Sequence, residues 1–430
     1  MNWCDEAKAL NEECIRLRRI LHRHPELSSR EENTVSLILD YLKDLDIETV
    51  NVDNGGVLGW IHGAHPGKTV MLRADIDALP ITEAPVNEGG FPKSCVSENE
   101  GVQHACGHDG HTAMLLCAAR LLQTHRDQLR GNILLCFERG EEQTMNVYHL
   151  MMYMEQNNIH PDAVFGMHVS PAVESGKIQI QPGPLMAGVF SFHVRIKGKG
   201  GHGSRPDRSI NPIDCYAAIG QAIQCLRMRT VDPFDPLTIS TGLVQSGTKS
   251  NILPDECLFK GTVRFYHRET GLYFQKKLKH MIEHIAEAYD CTVEFDKLNS
   301  PGFPLINTES YARCAAKVCA EVFEEGSVIT AQPSMGTDSF ALYLQRMPGV
   351  YAFLGMRNEE KGITANVHTS THDLDEDQFW RGIAAHVYCA RAFEQCPEDP
   401  QFKVNPDDLN TIYEQAGYTF PQGRTEWNIK

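Results

Sequence analysis

At 430 residues the chain exceeds what one ordinary core holds, so two domains are the natural expectation. Its 42% hydrophobic and 22% charged content is that of a soluble globular protein, and a formal charge of −16 argues against nucleic acid or an anionic membrane as a partner. No apolar run reaches the ~18 residues that a bilayer span needs, and the N-terminus lacks the basic patch and apolar stretch of a secretory signal, which points to the cytoplasm.

Residues 5–23 carry Ala7, Leu10, Cys14, Leu17 and Leu21 at helical spacing, with Pro25 beyond the end, and predict one helix. Residues 30–44 predict a second through Val35, Ile38, Leu39 and Leu42. Short continuous apolar runs follow at 69–72, 133–137 and 163–165, and residues 112–125 between the first two predict a helix. Apolar strands alternating with helices indicate an α/β fold with a mostly parallel sheet flanked by helices. Ligands in such sheets bind beyond the carboxyl ends of strands. Asp75, Glu141, Glu142 and His168 each lie just past such a run, which argues by position for one site.

From residue 187 the rhythm changes. Phe190, Phe192, Val194 and Ile196 alternate with Ser191, His193, Arg195 and Lys197, and residues 237–243 and 257–265 alternate in the same way. With helices near 211–228 and 270–289, this predicts an α+β unit inserted at residues 187–298. The first domain would then comprise residues 1–186 and 299–396, resuming with a helix over 311–323 and a strand over 350–354. The tail, 397–430, is rich in Pro, Asp and Asn without clear periodicity, and reads as a surface strap or a partner contact. The fourteen cysteines are irregularly spaced; those within apolar helical runs, such as Cys117, Cys225, Cys314 and Cys319, read as reduced core residues rather than a disulfide framework.

The stretch from His104 to His111 (His-Ala-Cys-Gly-His-Asp-Gly-His) concentrates a thiol, three imidazoles and a carboxylate around two glycines. Cys106 and His108, two apart, can turn toward one point. Thiolate and imidazole suit zinc, manganese or cobalt better than magnesium or calcium. A lone Cys-x-His is more often a buried Cys near surface histidines, but here strands ending in acidic residues flank the cluster on both sides. Adjacent Glu141 and Glu142 diverge at a strand end, so one can bind metal while the other takes the proton of a water whose pKa a divalent ion lowers from about 15.7 toward about 7. His168 and His368, each beside an apolar run, are individually weak signals, since such histidines are more often satisfied core residues.

Taken together, these motifs resemble a known family. Leu72-Arg-Ala-Asp-Ile-Asp-Ala-Leu-Pro80, the cysteine–histidine motif, Glu141-Glu142 and Gly166-Met-His168 occur in the order of the amidohydrolase branch of the di-metal aminoacylase/carboxypeptidase superfamily. That branch includes hippurate hydrolases, auxin-conjugate hydrolases and N-acetyldiaminopimelate deacetylases. The similarity starts at Arg19–Ser28, continues through Gly198–Gly203, Asn251–Pro254 and Thr262–Arg264, and covers nearly all but the last thirty or so residues. It implies that Cys106, His108, Glu142, His168 and His368 bind two divalent ions (manganese, zinc or cobalt), with Cys106 bridging. It further implies Glu141 as general base and then acid toward activated water, and Asp75 and Asp77 as supports that orient ligands. His202 would polarise the scissile carbonyl in a partner subunit of a homodimer, and Asn251 and Arg264 would hold the substrate. On local grounds alone, Arg264 reads equally well as an ordinary strand arginine.

Several positions depart from the family's usual wording. Glu138-Arg139-Gly140 stands where Gln-Pro-Ala commonly precedes the paired glutamates, and Gly336-Thr-Asp-Ser-Phe340 where Gly-Ser-Glu-Asp-Phe is common. His368-Thr-Ser-Thr-His372-Asp373 replaces His-x-Pro-x-Phe-Asp, which makes His372 a rival ligand. Pro206-Asp207 and Asn211-Pro212 replace Pro-His and Asp-Pro. The leading expectation is a metal-dependent amidohydrolase cleaving an N-acyl amino acid or related conjugate. A carboxypeptidase or dipeptidase with the same centre is the alternative. A non-catalytic binding protein on this fold, or a Cys106 nucleophile, ranks below both.

Overall fold

The computed structural model describes residues 2–143, 146–396, 399 and 401–418. The N-terminal periodicity forms two helices, α1 (Trp3–Ala9) and α2 (Asn11–Arg23), rather than one. The break at Leu10 adjoins Asn11, whose side-chain amide donates to Glu376 O at 3.3 Å and accepts from Trp380 N at 2.8 Å. Contacts from a segment more than 360 residues away were not legible in local spacing.

The chain continues through α3 (Glu32–Asp44), β1 (Glu48–Val52), β2 (Gly56–His62), β3 (His65–Asp75), α4 (His108–Thr124), β4 (Arg130–Glu138), α5 (Val147–Gln156), β5 (Ala163–Glu174), β6 (Ile178–Gln179) and β7 (Gly183–Met186). A second group follows: β8 (Gly188–Lys197), β9 (Gly201–His202), α6 (Pro212–Thr230), β10 (Leu237–Ser246), β11 (Ile252–Leu253), β12 (Glu256–Phe265), α7 (Arg268–Ala288) and β13 (Thr292–Leu298). The last group is β14 (Leu305–Asn307), α8 (Glu309–Val322), β15 (Val328–Ile329), α9 (Phe340–Tyr343), β16 (Gly349–Arg357), α10 (Phe379–Gln395) and α11 (Leu409–Gln415).

An eight-stranded sheet runs in the order β1-β2-β4-β3-β5-β16-β6-β15. Its centre, β4-β3-β5-β16, is parallel, while β1, β2 and β6 enter antiparallel. Both faces of that centre are covered, which is why its strands read as continuous apolar runs. Leu72, Leu135, Ala352 and Leu354 face one cluster with α4 and α10. Met71, Leu134, Cys136 and Tyr351 face the other with α5, α9 and α11.

Strands β10-β12-β8-β13 form a separate antiparallel sheet. One face packs Phe190, Phe192, Val194, Phe259 and Val263 on α6 and α7. The expected two-sided alternation fails along β10: beyond Ile239 it is exposed on both faces except for half-buried Ser246, with a bulge between Thr241 and Leu243. As the outermost strand it has a sheet neighbour on one side only. Cys225, read as a core residue, is exposed, and Cys314 is half-buried. Cys225 lies two positions, or about 200° of helix, beyond buried Ile223, so it turns away from the face that packs.

The tail also departs from expectation. Asp408 caps α11 by accepting from Thr411 N, and Leu409, Ile412 and Tyr413 at i, i+3 and i+4 are buried in the same cluster as Tyr148 and Met151 of α5. Of the tail residues, 397, 398, 400 and 419–430 lie outside the described set. Among the described residues no helix is long and apolar enough to cross a membrane. Ile412→Ala should cost about 2–4 kcal/mol in urea unfolding. A loss under about 0.5 kcal/mol would mean that α11 adds nothing to the core.

Candidate metal centre and active site

The site is built where the parallel strands end. Asp75 is the last residue of β3, and β4 stops at Glu138, three residues before the single helical turn that carries Glu141 and Glu142. His168, expected just past a strand end, instead lies inside β5, which runs on to Glu174. Pairing of β3 with β5 stops at Arg73↔Gly166, so His168 stands where β5 has outrun its neighbour and one side of it is open.

Gly107 introduces α4 from the left-handed region, with φ of 84°. A Cβ there would sit 2.3 Å from Val169 Cγ2, so both backbone conformation and space require glycine. This turn sends Cys106 and His108 toward one point. His368 is itself left-handed, with φ of 62°, an uncommon state for a side chain of its size. Its N–H donates to Ala105 O at 2.8 Å, which joins the segment around 368 to the loop carrying Cys106.

Hydrogen bonds fix which ring nitrogens are free. His108 Nδ1 faces Asp77 Oδ1 at 2.9 Å, and its wholly buried Nε2 has no hydrogen-bond partner. His168 Nδ1 donates to Val169 O at 2.6 Å, leaving Nε2 3.3 Å from Cys106 Sγ. His368 Nε2 lies 3.3 Å from the same sulfur and 3.1 Å from Glu142 Oε1, the latter without hydrogen-bond alignment. His111 differs: Asp75 Oδ1 meets its Nδ1 at 2.6 Å, and its Nε2 accepts from Val169 N at 2.9 Å. Although His111 lies within ligand range of Asp75 and His108, both its nitrogens are already engaged, so it braces Asp75.

Apart from the set with His111, three ligand triads emerge among the described residues, Cys106-His108-His168, Cys106-Glu142-His368 and His108-Glu141-Glu142, with donor atoms in each lying within 4.8 Å of one another. The first two share Cys106. Electrostatics fit a cation-binding site. Burial pushes the Cys106 thiol up, so the thiolate needs an adjacent positive charge. Burial, helped by neighbouring His111, pushes His168 well below the usual histidine range and keeps it a neutral donor. Burial works against a charged His108, but Asp75, Cys106 and Asp77 outweigh it and raise its pKa. Burial raises the Glu141 carboxyl well above its usual range, with Asp338 and Glu142 adding to the effect. Thiol, imidazole and carboxylate donors around an orphaned buried nitrogen thus fit two divalent ions of intermediate softness.

A cavity of about 510 Å³ opens onto this cluster, lined among others by Glu141, Met186, Arg264, Phe353 and His368. Arg264 Nη1 donates to Met335 O at 2.8 Å, and among the described residues no carboxylate pairs with the guanidinium. His202 and Asn251 do not line the cavity. They sit together in the smaller lobe, where His202 pairs with Ile252 and Gly203 N donates to Asn251 O, and both are exposed. The rival ligand, His372, is buried away from the triads, its pKa driven down to about 3 by burial. Sequence reasoning gave no role to Arg73 or Ser339, yet Ser339 N donates to Glu141 Oε1 at 3.0 Å. A charged residue inside the apolar run before Asp75 was the available signal for Arg73.

The fold and donor set define a metal-dependent hydrolase of amide bonds. The family model described as peptidase family M20/M25/M40 matches residues 71–392, and the chain belongs to that family. It is 35% identical to "Thermostable carboxypeptidase 1" of Saccharolobus solfataricus over 90% of this chain and 97% of that protein. It is 34% identical to "N-acetylcysteine deacetylase" of Bacillus subtilis over 86% and 94%, respectively. Among solved structures, the Bacillus subtilis YXEP protein, described as a dinuclear metal-binding peptidase of the M20 family, superposes with a TM-score of 0.76 at 30% identity, covering 91% of this chain and all of that one. The expected α/β architecture, family resemblance and reaction class agree with these findings.

Proposed function

We propose that this chain hydrolyses N-acyl amino acids or related conjugates to a carboxylate and an amine. One ion would be held by Cys106, His108 and His168, the other by Cys106, Glu142 and His368, with manganese, zinc or cobalt as the metal. The sharing of Cys106 by two triads is the observation that carries this reading. Asp77 and Asp75 orient His108 and brace the cluster. When bound, the ions supply Lewis acidity toward the amide carbonyl and acidify water. Glu141, aligned by the Ser339 N–H, accepts the proton of the attacking water and returns it to the leaving nitrogen. The fourteen free thiols suit a reducing compartment such as the cytoplasm.

Glu141→Gln should retain metal but lose about a thousandfold or more in turnover, because an amide cannot accept the proton. Glu142→Gln should instead lose metal. Chelation should abolish activity, and added Mn²⁺, Zn²⁺ or Co²⁺ should restore it. Equal metal contents in the two variants, read by elemental analysis, would defeat this division of roles.

Arg264 brings an unneutralised guanidinium to the cavity, so a free carboxylate beside the scissile amide is the expected substrate feature. A C-terminal peptide residue offers the same group, and the relative named as a carboxypeptidase supports that as the second reading. N-acyl amino acids should be cleaved about ten- to a hundredfold faster in kcat/KM than their amides, corresponding to roughly 1.5–3 kcal/mol. Arg264→Ala should slow only the acids. Equal rates on acids and amides would make Arg264 structural.

Residues 187–298 would act as a lid and dimerisation unit. The outer strand β10 presents Leu243 and Val244 to solvent, and Met228, Phe234 and Ile252 are exposed in the same lobe. In a homodimer joined there, His202 of the partner subunit would polarise the scissile carbonyl and Asn251 of the partner subunit would help hold the substrate. Mixing Glu141→Gln with His202→Ala subunits should then regain activity in heterodimers. Proven subunit exchange without recovery would mean that one chain builds each site.

A further inference from the structure

Behind Glu141 lies a wholly buried guanidinium. Arg73 Nε donates to Glu138 Oε2 at 2.9 Å, Nη1 to Asp75 Oδ2 at 2.7 Å and Nη2 to Ser339 Oγ at 2.7 Å. Ser339 passes these bonds on: its hydroxyl donates to Glu138 Oε1 at 2.6 Å, and its N–H donates to Glu141. Tyr343 OH donates to Glu138 Oε2 at 3.0 Å, so that carboxylate is fully engaged.

Glu138 and Ser339 touch although 201 residues separate them. Between them they present one negative charge to Arg73, so a carboxylate on either side of this hydrogen bond would leave the sum unchanged.

We propose that Glu138 and Ser339 form a pair carrying one charge that, through Arg73, positions Glu141, a role that rests on Glu141 being the general base. Removing the Glu138 charge alone leaves the buried arginine short of one anion, which is strongly destabilising. Placing an aspartate at 339 opposite Glu138 sets two carboxylates within one hydrogen bond in a dry interior, where both cannot stay ionised. Either change moves the start of α9, and with it the N–H that aligns Glu141. Making both changes restores the balance: the new amide at 138 donates to the aspartate, which accepts from Arg73 Nη2.

The test compares Glu138→Gln, Ser339→Asp and the double variant in metal-reconstituted protein, reading kcat, KM, metal content and melting temperature. Each single change should lower kcat about tenfold or more, with KM within about twofold and metal content unchanged. Each should also lower the melting temperature by about 4 °C or more. The double variant should recover kcat to within about threefold of the parent and regain most of the melting temperature. If a single variant fails to fold, folding of the double variant is itself the rescue. Singles that match the parent, or a double no better than its worse single, would overturn the proposal. Recovery of melting temperature without recovery of kcat would make the pair structural only. The melting cycle does not depend on what Glu141 does, so it stays readable even if Glu141→Gln proves active and the general-base reading fails.

Discussion

Asp75, Asp77, Glu138, Asp338 and Glu141 are all buried at the carboxyl edge of one parallel sheet, and the surrounding structure is organised by how their charge is met. Taking a carboxylate out of water costs several kcal/mol unless it is paired. Arg73 answers Asp75 and Glu138, Ser28 and His108 answer Asp77, and Tyr351 donates to Asp338. Glu141 receives a backbone N–H, and Glu142 lies near His368 unaligned. What remains is a cluster of acidic and thiol donors around Cys106 whose ionisation burial disfavours. A divalent cation held there would offset that cost.

The same constraint accounts for the strained backbone nearby. Five candidate donors converge from four separate segments, and regular strands and helices aim side chains only along their own periodicities. Gly107 and His368 supply the two left-handed residues that turn Cys106 and the last imidazole inward. The hydrogen bond from His368 to Ala105 locks those turns to each other. Val169 closes the arrangement: its N–H holds His111, its carbonyl holds His168, and its side chain fills the space that a Cβ at 107 would need.

Much of this was legible in the sequence because the donors sit in local patterns. The motif at 104–111 and the acidic residues after apolar runs required only that strands end where their hydrophobicity ends. Less legible were features fixed by contacts distant in sequence. The break at Leu10 adjoins Asn11's bonds to 376 and 380, and the contact between Glu138 and Ser339 spans 201 residues. Docking of α11 was missed for a different reason. Its apolar positions are few, and the loop before it masks a stripe of only three residues. The alternation expected along β10 shows the converse limit: it predicts a strand, but only the neighbouring elements decide whether either face is covered.

The two lobes meet beside the segment that holds Glu141. From β12, Arg264 donates to Met335 O, and Tyr266, just past its end, donates its hydroxyl to Pro333 O at 2.7 Å. Both bonds land on one short segment of the larger lobe. Four residues beyond Met335, that segment reaches Ser339, which aligns Glu141. Arg264, at the cavity, is thus tied to the same stretch of backbone that donates to Glu141, through residues that are neighbours in sequence as well as in space.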